Sequence, residues 1–145
     1  MIPTIAADRS LFPIEKMEAH RLGLLHQAVS VFVFSGSEML IQRRAEGKYH
    51  SGNQWANTCC THPRWGEALQ DAAARRLSEE LGFELILHPA NVITYRAEVG
   101  GGLIEHEQVQ IFYGSADKDR LRVAADPDEV KETRWMERGA LEAEI

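Results

Sequence analysis

The 145-residue chain has only two cysteines, Cys59 and Cys60, and they are adjacent. Neighbouring cysteines are badly placed to form a disulfide with each other. No CxxC pair is present for a zinc ribbon or a dithiol redox motif. Free thiols in a reducing compartment are the expectation, and the bland role for either one is a small buried hydrophobe. No apolar run approaches the roughly 20 residues that cross a bilayer. The opening MIPTIAADRS lacks the basic segment and apolar core of a secretory signal. A cytoplasmic location without membrane association is therefore expected. Positive charge is also scarce: 16 Lys and Arg face 22 Asp and Glu, a formal net charge of −6. That balance argues against a general nucleic-acid binder, although a few placed cations can still hold an anionic ligand. Internal repeats and low-complexity stretches are absent.

What is present reads as one globular domain over residues 1–145, with an apolar fraction of 44% and a charged fraction of 26%. Residues 1–13 read as an irregular arm, and 13–20 as a short helix or a continuation of that arm. QAVSVFVF, from Gln27 to Phe34, is β-branched and aromatic and predicts a strand. Ser35-Gly36-Ser37 predicts a turn, and EMLIQ its hairpin partner. Residues 44–66 form a long glycine-rich, polar connection of the kind that is functional or disordered. Gly66 to Gly82 predicts a helix, because Leu69, Ala73, Leu77 and Leu81 repeat every four residues and Gly82 suits a C-terminal cap. Strands are expected over 91–99, 105–114 and 133–136, with glycines 100–102 as a loop, a polar loop over 117–128, and a helical fragment at the end. The mixture, without regular βαβ repetition, predicts an α+β fold.

Several clusters could carry chemistry. Arg75-Arg76-Leu77-Ser78-Glu79-Glu80 ends the predicted helix. Its bland reading is a pair of i,i+4 ion pairs on a solvated face. Arg before Glu is the weaker order, and acids in a last turn oppose the helix dipole, so a bound cation is the other reading. Glu105 and Glu107 flank His106 in a predicted strand, which throws both carboxylates onto one face about 7 Å apart. Such a pair is either solvated or bridged by a cation. The chain has six histidines: His20, His26, His50, His62, His88 and His106. Imidazole suits Zn²⁺ and related metals, and carboxylate suits Mg²⁺ and Mn²⁺. Spacing alone does not choose the set. Arg43, Arg44 and Lys48 form either a solvated charge run or an anion clamp.

Taken together, these residues resemble a known family. From Thr61 to Phe83 the chain is similar to a Nudix box, with Glu67, Arg75, Leu77, Glu79, Glu80, Gly82 and Phe83 in register. Thr61 replaces the opening glycine, and Arg76 replaces a glutamate of the metal-binding helix of Nudix hydrolases. EKMEAHRLGLLHQAVSVF, RRAEGKYHS, WANTCCTHP, YRAEVGGGLIEHE and DEVKETRW extend the likeness over most of the chain. They resemble the type 1 isopentenyl-diphosphate isomerases.

The resemblance implies a Nudix-type α/β/α sandwich with a mixed sheet. It implies reversible isomerisation of isopentenyl diphosphate to dimethylallyl diphosphate in isoprenoid biosynthesis, by a monomer or homodimer. Cys60 matches the catalytic cysteine, Glu107 the catalytic glutamate and Tyr95 the tyrosine bonded near it. His20, His26, His62, Glu105 and Glu107 match the ligands of one divalent metal, Mn²⁺, Mg²⁺ or Zn²⁺. Glu80 and the backbone carbonyl of Cys60 match a second site, where Mg²⁺ meets the diphosphate. Lys16, Arg44, Lys48 and Arg76 match cationic diphosphate contacts, and Cys59 is left as a structural neighbour. The family's C-terminal segment carries a tryptophan over the active site. None of Trp55, Trp65 and Trp135 matches it, so that segment is expected to be absent. A Nudix diphosphate hydrolase and a non-catalytic, metal-stabilised domain are the competing readings.

Overall fold

The computed structural model describes residues 1–46 and 54–137. The β-branched run becomes β3 (His26–Ser35). It turns through Gly36 into β4 (Glu38–Arg44), with Phe34 opposite Met39. Side chains alternate along β3 as a period of two requires. Val29, Val31 and Val33 point into the main core and are essentially inaccessible. His26, Ala28 and Ser30 point to the other face.

The helix expected over 66–82 starts three residues later than predicted. Gly66 takes a positive φ of 85°, and Arg64 and Glu67 close a turn in front of Leu69. α2 (Leu69–Leu81) lays Ala73, Leu77 and Leu81 against the valine face, and Gly82 caps it at φ 73°. α1 (Lys16–Leu22) begins where the Glu15 carboxylate accepts from the backbone N–H groups of Met17 and Glu18. It lies by the opposite sheet face, so one helix covers each side.

The N-terminal arm is a correction. Residues 1–13 are not irregular: β1 (Ile2–Ile5) and β2 (Leu11–Ile14) form an antiparallel hairpin at one edge. The long connection also contains structure. β5 (Trp55–Ala56) pairs with β4, and β6 (Cys59–Thr61) pairs with β3. β7 (His88–Gly100) and β8 (Leu103–Ser115) make a hairpin longer than expected, and β9 (Val130–Glu137) pairs with β4. β8 runs parallel to β3, while the other pairings are antiparallel. Among the described residues, nine strands thus form one mixed sheet, the α+β sandwich expected. No helix among them is long and apolar enough to cross a membrane. The expected C-terminal helical fragment, Lys48 and His50 lie outside the described residues.

Candidate active site and metal centre

Strand register assembles the site. His26 on β3 pairs with Glu107 on β8, Glu107 pairs with Tyr95 on β7, and Ser30 on β3 pairs with Cys60 on β6. Paired residues share a face, so four strands present Cys60, Ser30, His26, Glu107 and Tyr95 on the side away from α2. His62 follows Cys60 by two residues and joins them. α1 brings His20 from above, with its ring 4.9 Å from that of His26 and 5.2 Å from that of His62.

His20, His26, His62 and Glu107 form a tight donor set whose ligand atoms lie within 4.8 Å of one another. The backbone orients two of the rings. Nδ1 of His20 lies 2.7 Å from the Lys16 carbonyl, and Nδ1 of His26 lies 2.8 Å from that of Leu24. A carbonyl only accepts, so both Nδ1 atoms carry hydrogen and Nε2 is left as the donor atom for a metal. Burial lowers the pKa of His62 to about 4, against the pull of the Glu107 carboxylate, so its imidazole is neutral at pH 7. Burial alone would raise Glu107. The contacts of its carboxylate with the His26 and His62 rings outweigh it and hold the carboxyl well below the usual range. Oε2 of Glu107 lies 3.1 Å from His26 Nε2 and 2.7 Å from His62 Nε2. Imidazoles converging on a carboxylate are the donor set of a divalent transition metal or Zn²⁺, and the residues fit one.

Glu105 stands outside that four-residue group. Its carboxylate meets the Tyr95 hydroxyl at 2.8 Å, and the same hydroxyl lies 2.8 Å from Glu107 Oε1. Burial and the charge of Glu107 raise the Tyr95 pKa, so the phenol keeps its proton. One hydroxyl proton serves one carboxylate at a time. The second contact calls for a proton or a cation nearby, which again fits a metal at this end of the site.

A cavity of about 800 Å³ opens over this face, lined by Cys60, His62, Tyr95, Glu105, Glu107 and Glu80, and by Lys16, Arg44 and Arg76. The Nε of Arg44 is buried and has no hydrogen-bond partner among the described residues, a donor suited to an anion. Both expected i,i+4 pairs form: Arg75 meets Glu79 at 2.7 Å, and Arg76 meets Glu80 at 3.0 Å. Only the first is a surface pair. Glu80 is 2% exposed, and Arg76 also bonds Glu129 at 3.2 Å.

Cys60 faces the cavity. Protein packed around its sulfur displaces water and raises its pKa, so the thiol is protonated in the polypeptide alone. Sγ lies 3.1 Å from Asn57 Oδ1 and 3.3 Å from Ser30 Oγ. Sequence reasoning gave neither residue a role. Asn57 lies inside the WANTCCTHP segment, but only the β3–β6 pairing reveals Ser30. Asn57 Nδ2 donates to the carbonyls of Val31 and Cys59, which fixes Oδ1 toward the thiol.

Comparison with known proteins places this arrangement. A family model described as the NUDIX domain matches residues 24–145. A protein of Cereibacter sphaeroides named isopentenyl-diphosphate Delta-isomerase is 58% identical over 95% of this chain and 78% of its own length. Proteins of the same name from Dinoroseobacter shibae and Rhodobacter capsulatus are 54% and 50% identical, over 78% and 77% of their lengths and 95% and 93% of this chain. In three dimensions the chain resembles a Deinococcus radiodurans protein with a TM-score of 0.79 at 17% identity, covering 99% of this chain and 86% of that one. It also resembles the dihydroneopterin triphosphate pyrophosphohydrolase of E. coli, with a TM-score of 0.63 at 16% identity over 81% of this chain and 84% of the other. The structural likenesses show the fold, the sequence relatives narrow it further, and the chain belongs to the NUDIX family and, within it, to the isopentenyl-diphosphate Delta-isomerases.

Proposed function

We propose that this chain interconverts isopentenyl diphosphate and dimethylallyl diphosphate, with Cys60 and the Glu107–Tyr95 pair moving the protons. One observation carries the reading: the Cys60 thiol and the hydrogen-bonded Glu107–Tyr95 pair line one cavity that is also lined by Lys16, Arg44 and Arg76. The cations suit the diphosphate, and the proton-bearing groups lie in the same cavity, where the five-carbon chain would sit. A proton adds to C4 of the alkene, a tertiary carbocation forms at C3, and a proton leaves C2. The two transfers require two groups, and the reaction is reversible, so each group gives a proton in one direction and takes it in the other. Tyr95 holds the Glu107 carboxylate, while Asn57 and Ser30 aim the sulfur. Lys48 completes the expected set of diphosphate contacts.

His20, His26, His62 and Glu107, with Glu105 beside them, would hold one divalent cation, Mn²⁺, Mg²⁺ or Zn²⁺, and Glu80 with the Cys60 carbonyl would hold Mg²⁺, which neutralises diphosphate charge when bound. The reaction is assigned to the cytoplasm and to a monomer or homodimer, without nucleic-acid or membrane partners. A hydrolase reading gives no work to Cys60, and Arg76 occupies a position that is acidic in the hydrolase box.

The test is incubation with isopentenyl diphosphate and Mg²⁺. An acid-labile allylic product is expected, and phosphate release without it would overturn the proposal. Cys60→Ala is expected to lower turnover by about 10³-fold, with folding and metal content kept. Unchanged turnover rejects the role of the thiol. Glu107→Gln is expected to lose activity and bind metal less tightly, and a fully active variant with normal metal content rejects both of its roles.

A further inference from the structure

Cys59 and Cys60 are consecutive on β6, so their side chains leave the sheet on opposite faces. Cys60 faces the cavity. Cys59 is 1% exposed, packs in the core beneath α2, and its Sγ lies 3.0 Å from Glu80 Oε1. Glu80 is itself 2% exposed and lines the cavity. Its other oxygen is engaged by Arg76 at 3.0 Å. Among the described residues, the remaining contact to Oε1 comes from Gln42 Nε2 at 3.5 Å, the outer limit of a hydrogen bond. That amide already donates to the Thr58 carbonyl at 2.8 Å. The Cys59 thiol is therefore the short donor to Oε1.

We infer that Cys59 is a positioning residue for Glu80: its S–H bond fixes the plane of the carboxylate and thereby the edge that Glu80 presents to the diphosphate-bound Mg²⁺. The inference rests on the proposed reading of Glu80 as a metal-facing acid. A carboxylate held only by Arg76 and the long Gln42 contact could turn about its last bond, and Arg76 would draw it away from a cation. Groups that orient metal ligands typically change affinity by about 10- to 100-fold when removed. The adjacent thiols thus serve one strand in two directions, one toward the reacting carbons and one toward the acid that meets the diphosphate.

The test uses Cys59→Val, which keeps the volume and removes the donor, with Cys59→Ala as a second donor-less variant and Cys59→Ser as the variant that keeps a donor. Two readouts are taken: the Mg²⁺ concentration for half-maximal turnover, and Mn²⁺ binding in the presence of inorganic pyrophosphate, followed by electron paramagnetic resonance. Cys59→Val and Cys59→Ala are expected to need about 10-fold more Mg²⁺ and to bind Mn²⁺ correspondingly more weakly, with the circular dichroism spectrum kept. Cys59→Ser is expected to restore both values close to the parent. Glu80→Gln is run in parallel. A shifted Glu80→Gln beside unshifted Cys59→Val and Cys59→Ala overturns the inference alone. An unshifted Glu80→Gln overturns the reading of Glu80 and the inference with it. Equal shifts in all three cysteine variants also overturn it, because a packing role does not distinguish serine from valine in this way.

Discussion

At the scale of single residues, the site is a problem of counting protons. Tyr95 carries one hydroxyl proton and stands 2.8 Å from an oxygen of each of two carboxylates. Tyr95→Phe removes that proton without changing the ring. A hydrogen bond to a charged group contributes about 1.5–3 kcal/mol, which corresponds to a loss of about 10- to 100-fold in kcat. KM is expected to stay near its parent value, because the hydroxyl acts on Glu107 rather than on the diphosphate. Steady-state kinetics checks this, and a change confined to KM would reassign Tyr95 to substrate binding. The residue types at the site were legible in the sequence only in groups. Period two placed Glu105 and Glu107 on one face, but nothing in the spacing said that Tyr95 would lie between them. That contact needs the β7–β8 register, in which Tyr95 is opposite Glu107. The resemblance to a family supplied the set, and the fold supplied the geometry.

At the scale of elements, the loop before α2 is tied to the helix by charge. Glu67 accepts from Arg75 at 2.8 and 3.0 Å and from the Arg64 backbone N–H at 2.9 Å. The Arg75 hydrogen bond is the main cause that holds the Glu67 carboxyl below its ordinary value of 4.5. A group with a lowered folded pKa contributes stability above its unfolded value and loses it as pH falls through the folded value. The Tm difference between the parent and Glu67→Gln is therefore expected to be full at pH 7 and to close below pH 4.5. A thermal-unfolding series over pH checks it, and a difference that stays constant down to pH 3 would rule out the ion pair as its source. α2 itself was legible, because its apolar repeat and its glycine cap are local signals. The N-terminal hairpin was not. Pro3 and Pro13 face each other across β1 and β2, and proline in a run argues against a strand unless the strand lies at an edge, as β2 does. β5 and β6 contain only two and three residues, too few for a pattern to show. The consequence is large, since β6 carries Cys60 and leads straight into His62.

At the scale of the whole molecule, the parallel β3–β8 pairing joins segments about 80 residues apart and no local signal predicts it. It sets His26 beside Glu107 and so assembles the four-residue group that could hold a metal. The charge balance has a further consequence. The chain carries −6 overall, and among the described residues the cavity offers no excess of positive side chains: Lys16, Arg44, Arg64, Arg75 and Arg76 are matched by Glu80, Glu105, Glu107, Asp128 and Glu129. His62 is neutral at pH 7 and adds nothing. Against these described residues a diphosphate approaching the polypeptide alone meets a balanced wall inside a negative molecule, and bound cations would add the attraction that wall does not supply. A unit charge pair at 4 Å is worth about 1 kcal/mol even in bulk water and about 4 kcal/mol near a protein surface. Removing divalent metal is therefore expected to weaken inorganic pyrophosphate binding by about tenfold or more. Calorimetric titration of the chelator-treated protein, and again after Mg²⁺ is restored, measures the change. Equal affinities in the two titrations would mean that Lys16, Arg44 and Arg76 hold the diphosphate unaided, and that Glu80 has no metal to meet.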